Sequence, residues 1–118
     1  MKLSKIIELA PALNALAGLK LPAKTGFRIA KALNAIKPEL EAYEAQRIKL
    51  LESLGTKTAD GTQYAFEDDN AKTFIAQMNA LTDEDVAITF ATITPDDLGS
   101  ADVDVNVILA LCDVFIVE

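Results

Sequence analysis

The chain has 118 residues, 51% of them hydrophobic and 25% charged, which is enough length and apolar content for one packed domain. Its formal charge is −7, with one cysteine, no histidine and no tryptophan. These counts exclude a disulfide framework, a histidine-based metal centre and any nucleophile activated by histidine, so no catalytic residue, metal or cofactor is expected.

The opening Met1-Lys2-Leu3-Ser4-Lys5 has the lysines of a signal-peptide start, but Glu8, Pro11 and Asn14 interrupt the apolar core such a signal needs. No run approaches the roughly 20 apolar residues of a membrane span. Ile6, Leu9, Leu13 and Leu16 recur at helical intervals and Gly18 follows them, which predicts a first helix over 3–17, with Pro11 as a kink or a late start. Pro22 suits the first turn of a second helix, because its missing N–H has no partner to lose there. From it Ile29, Leu33, Ile36, Leu40, Tyr43, Leu50, Leu51 and Leu54 carry an apolar stripe to Gly55, with a bend expected at Pro38. Asp60-Gly61, between Lys57-Thr58-Ala59 and Gln63-Tyr64-Ala65-Phe66, predicts a short hairpin with a two-residue turn.

Asp69 or Asn70 can cap a third helix through Leu81, with Phe74, Ile75, Met78 and Leu81 on one side. Residues 86–94 are rich in β-branched side chains and alternate, so a strand joining the hairpin's sheet is expected there. Thr94-Pro95-Asp96-Asp97 predicts a capped helical turn that Gly99 ends. Ile108, Leu109, Cys112, Phe115 and Ile116 have helical spacing, although their valine neighbours leave a strand open, and Cys112 is expected to be a small buried hydrophobe. The predicted architecture is a single α+β domain over 1–118. A helical hairpin occupies 1–55, and 56–118 is mixed, with a small antiparallel sheet and a closing apolar helix.

Leu21-Pro22-Ala23-Lys24, then Ile29-Ala30-Lys31-Ala32-Leu33, then Glu44-Ala45-Gln46-Arg47-Ile48-Lys49-Leu50-Leu51-Glu52-Ser53-Leu54-Gly55 resemble a family of small, uncharacterised phage and prophage proteins. The resemblance implies a phage origin and small size, and with a lone cysteine expected to stay reduced the host cytoplasm is the expected setting. It supplies no catalytic residue.

Charge is segregated along the chain. Residues 1–38 sum to +6 and residues 39–118 to −13, with no acid between Glu8 and Glu39. On a helical wheel Arg28 and Lys31 fall within roughly 40° of Lys24, whereas Ile29, Leu33, Ile36 and Leu40 lie about 120 to 180° away. This stripe reads either as a solvated face or as an anion site of Lys20, Lys24, Arg28 and Lys31. Arg47 falls on the apolar stripe and must snorkel, pair with a carboxylate, or meet a ligand phosphate or a second subunit.

The groups Glu67-Asp68-Asp69 and Asp83-Glu84-Asp85 flank the third helix, where caps and turns explain them better than a metal or acid/base chemistry. Asp102-x-Asp104-x-Asn106 imitates the start of a calcium loop, but Val107 stands where the sharp turn demands glycine. Long nucleic acid is disfavoured, since it would face seventeen carboxylates beyond residue 38.

Two functions without chemistry are compatible with these features. One is sequestration of an anionic, nucleotide-like ligand of host defence. The other is a virion assembly, scaffolding or interaction role, in which the long helix and opposed charges serve contacts between subunits. A homodimer is expected in either case. Arg28 and Lys31 are both expected on the solvent side, so that replacing either with alanine should spare stability.

Overall fold

A computed structural model describes residues 1–117. The elements in chain order are α1 (Leu3–Ala17), α2 (Ala23–Leu54), β1 (Gly55–Lys57), β2 (Tyr64–Phe66), α3 (Asn70–Thr82), a 3-10 turn (Pro95–Leu98) and α4 (Val105–Leu111). The architecture is α+β with the predicted helical hairpin first.

The apolar spacing of α1 sets the core. Leu3, Ile6, Leu9, Leu13 and Leu16 line one face and are buried against Ile29, Ala32 and Ile36 of α2 and against Leu111, Phe115 and Ile116 near the chain's end. Pro11 lies inside α1 on its exposed side, and the helix is continuous from Leu3 to Ala17. The helix therefore does not start late. One backbone hydrogen bond is all the proline removes there.

α2 runs between the two residues predicted to bound it. Pro22 stands at its N-cap and Gly55 at its C-cap, with Pro38 inside. At Gly55 the chain passes directly into β1, and a Cβ there would lie 2.9 Å from the Leu51 carbonyl oxygen and 3.2 Å from the Tyr64 Cβ. Only glycine permits the strand to leave the helix so closely. At 32 residues, α2 is about 48 Å long at 1.5 Å per residue. The whole molecule measures 53 × 31 × 22 Å, with a radius of gyration of 17.6 Å. A compact chain of this length would have about 13–14 Å.

The sheet differs from expectation in two ways. β1 and β2 pair antiparallel as Gly55↔Phe66, Thr56↔Ala65 and Lys57↔Tyr64, which leaves a six-residue loop over 58–63 instead of a two-residue turn. Gly61 does take a left-handed conformation, with φ 73°, but its N–H bonds to the Thr58 carbonyl as part of that wider loop.

Residues 86–94 join no sheet. Val86, Ile88 and Phe90 turn inward while Ala87, Thr89 and Ala91 are exposed, so the alternation reports burial as far as residue 91; there the phase breaks, with Thr92 exposed and Ile93 buried. Isolated bridges hold the ends, Lys2↔Asp85 at one and Ile93↔Ile116 at the other. Between them the chain packs on the core mainly by its side chains, with hydrogen bonds from the Val86 N–H to the Met1 carbonyl and from the Arg28 guanidinium to the Thr92 carbonyl. The β-branched pattern measures fit to a half-buried surface and carries no information about a neighbouring strand.

The last segment is also corrected. α4 stops at Leu111, and Asp113 adopts a left-handed φ of 64° that turns the chain so that Phe115 and Ile116 return to the core. Cys112 lies beyond the helix and is exposed, as are Val105 and Leu109, so it is not the buried hydrophobe expected from its spacing.

Leu13→Ala should destabilise the protein by about 2–5 kcal/mol, because it opens a cavity at the centre of this core. Ile75→Ala, at a side chain 58% exposed, should stay within about 0.5 kcal/mol. Denaturant unfolding of the two variants measures the contrast.

Candidate functional site

The cationic face of α2 lies against the segment that follows residue 91. The Arg28 guanidinium donates to the Thr92 carbonyl oxygen at 2.8 Å. One turn earlier, Thr25 is buried and its hydroxyl donates to the Asp97 carbonyl oxygen at 2.9 Å. Asp97 in turn closes a capping box, its carboxylate accepting from the Thr94 N–H at 2.8 Å while Thr94 caps the 3-10 turn. That backbone hydrogen bond holds the Asp97 carboxyl below the ordinary aspartate range, and the positive charges of Arg28 and Lys24 add to the effect.

The expected anion site is therefore partly a structural clamp. Arg28 is half-buried and engaged, and the expectation that it serves only solvent or ligand is corrected: its length lets it reach a carbonyl 64 residues away. Lys31 is exposed, with its ammonium 5.6 Å from the centre of the Phe27 ring. Lys24 and Lys20 are exposed. Lys31 also borders a shallow depression of about 350 Å³, lined by Ala35, Thr89, Phe90 and Ala91.

Arg47 does not join this group. It lies 19 residues beyond Arg28 on the same helix, about 28 Å along the axis. Its guanidinium donates through Nε and Nη2 to the carboxylate of Glu44, one turn back. That hydrogen bonding raises the Arg47 pKa and lowers that of Glu44. An ion pair on its own helix thus answers the question that a guanidinium among leucines raised.

The acidic groups serve the fold, some through contacts distant in sequence and some through local caps. Asp83 pairs with Lys2, which raises the lysine's pKa, and the Leu3 N–H donates to the Glu84 carbonyl at 2.9 Å. Asp69 is the N-cap of α3 without a side-chain bond to the helix, while the Asn70 amide reaches back to the Leu54 carbonyl at 2.9 Å and ties α3 to the end of α2. Asp104 caps α4 by accepting from the Asn106 N–H at 2.8 Å. Among the described residues no three His, Cys, Asp or Glu side chains come together as a metal-holding group. Among them, too, no helix is long and apolar enough to cross a membrane.

Thr25 was missed by sequence reasoning. Its signal was available, since it shares the helical interval of Ile29, Ala32 and Ile36, and a threonine inside an apolar stripe needs a hydrogen-bond partner. No family model, curated protein or solved structure matches the chain.

Thr25→Val should cost about 1–2 kcal/mol through the lost bond to the Asp97 carbonyl, and Arg28→Ala about 1 kcal/mol. Lys31→Ala should change stability little. Because the Asp97 pKa is lowered in the folded state, its contribution is present above the unfolded-state value and is lost as the pH falls through the folded one. Asp97→Asn should therefore flatten the stability profile below about pH 4, as read by thermal melts across the acid range.

Proposed function

We propose that this protein is a non-enzymatic interaction protein that works as a homo-oligomer, a dimer first, in an assembly or scaffolding role. The resemblance noted above, with the lone cysteine, supplies the setting, a phage product in the host cytoplasm. One observation carries the reading. The buried side chains of α2 end at Ile36, and none of α3 is buried.

The outer half of the molecule thus has apolar residues that the core reaches only at its near end, through Leu40, Tyr43 and Leu81. Leu40, Tyr43, Leu50, Leu51 and Leu54 on α2 and Phe74, Met78 and Leu81 on α3 are only half-buried. A monomer that extends an arm of this kind leaves apolar area in water at about 25 cal/mol per Å². A second copy removes that cost, and opposed charge along the chain favours its approach.

Sequestration of a small anionic, nucleotide-like ligand is the second reading. The depression beside Lys31, with Lys24 and Lys20 exposed on the same helix and the loop before it, favours it. The engagement of Arg28 and Arg47 with the protein's own oxygens weakens it.

Light scattering and native mass spectrometry at micromolar concentration should give a dimer carrying no nucleotide-sized ligand. A monomer would overturn the first reading. Calorimetry against cyclic and ADP-ribose-type nucleotides tests the second, which requires binding that Lys31→Ala weakens. No binding at millimolar ligand removes it.

A further inference from the structure

The outer face of α2 carries a pattern that the core does not use. Phe27, Asn34, Glu41 and Ile48 recur at intervals of seven, and all four are exposed. They lie roughly 160° around the helix from the buried Thr25, Ile29, Ala32 and Ile36. Phe27 is 64% exposed and Ile48 42% exposed, the two large hydrophobes of α2 left most open. A seven-residue spacing keeps these four on one side of the helix, with the two apolar residues at its ends and the polar Asn34 and Glu41 between them.

Charge fixes the direction of that seam. The first half of α2, residues 23–38, carries Lys24, Arg28, Lys31 and Lys37 and no acid. The second half, 39–54, carries Glu39, Glu41, Glu44 and Glu52 against Arg47 and Lys49. Parallel copies would place like charge on like charge. Antiparallel copies place each cationic half on an acidic one.

We infer that two copies of this chain pair through antiparallel α2 helices about a two-fold axis passing between Lys37 and Pro38, with Phe27 of each copy packed on Ile48 of the other. The register follows from the spacing. Setting Phe27 opposite Ile48 sets Asn34 opposite Glu41, where the amide can donate to the carboxylate, Lys31 opposite Glu44, and Arg28 opposite Arg47, both of which are engaged within their own chain, with Thr92 and Glu44. Every contact then occurs twice, as a two-fold interface requires. The helix spans nearly the full 53 Å of the molecule, and its packed side is turned away, so the seam is open along its length.

The proposal rests only on the reading that the protein self-associates; the seam uses the face of α2 opposite the half-buried Leu40, Tyr43, Leu50 and Leu54, and the experiment separates the seam from self-association. In a Cys112→Ser background, Phe27→Cys and Ile48→Cys are introduced singly and together, at exposed positions where the core is untouched. Residues 27 and 48 lie about 31 Å apart along one helix, so no disulfide forms within a chain. Mild oxidation should give a covalent dimer from the double variant and none from either single variant.

A dimer in solution without this cross-link overturns the seam and leaves self-association standing. A monomer from the unsubstituted protein overturns both. A ladder of larger covalent species overturns two-fold closure. Lys31→Glu should weaken dimerisation at least about tenfold by setting like charges together, and Lys31→Glu with Glu44→Lys should restore it. Failure of that rescue, with both variants folded, overturns the register.

Discussion

The burial of one face of α1 is the constraint on which the rest of the structure depends. Ile6, Leu9, Leu13 and Leu16 are fully excluded from water, and every other buried apolar residue belongs to the same cluster. The first half of α2 is fixed by packing on that face, and the chain's end is drawn back to it through Phe115 and Ile116. Even the segment at 86–93, which lacks a strand partner, is held because its inward side chains find this surface and its ends are bridged to Lys2 and Ile116. The polar clamp of Thr25 and Arg28 acts afterwards. It chooses where the returning chain lies along α2, and hydrophobic burial supplies the reason for it to return.

The same constraint explains the uneven build of the molecule. α1 has 15 residues and α2 has 32, so a core made by α1 can cover only the first half of its partner. Beyond Ile36, α2 is accompanied by the β1–β2 hairpin and α3, both too narrow to bury it. The cations that a wheel diagram groups with Lys24 are divided by the fold into a clamp (Arg28) and a lysine over an aromatic ring (Lys31), while Arg47, on the apolar stripe of the same wheel, forms a distant ion pair with Glu44.

Much of the fold was legible in the sequence where a local rule and the global packing agree. Pro22 and Gly55 bound α2 because a missing N–H and a missing Cβ have fixed local consequences. Elements whose outcome depends on distant partners were less legible. Residues 86–94 alternate as a strand would, yet pairing depends on whether another strand lies beside them, and no residue within the segment encodes that. Residues 105–116 keep helical spacing through Cys112, but the left-handed turn at Asp113 decides which of these side chains reach the core. Arg28 shows the same limit at the site: its angle on the helix was read correctly, whereas the carbonyl it binds belongs to a segment 64 residues away.

The uneven distribution of burial along α2 has a consequence for how the molecule opens. The cost of separating a region from its neighbours follows the apolar contact it loses, so one protein contains units of different resistance. Here a single unbroken helix belongs to two such units. Its first half cannot loosen without exposing the central cluster, while its second half, with α3 and the hairpin, can fray toward solvent at little expense. Opening therefore begins at the Gly55 end and stops near Ile36, which makes α2 one helix in shape and two in cooperativity.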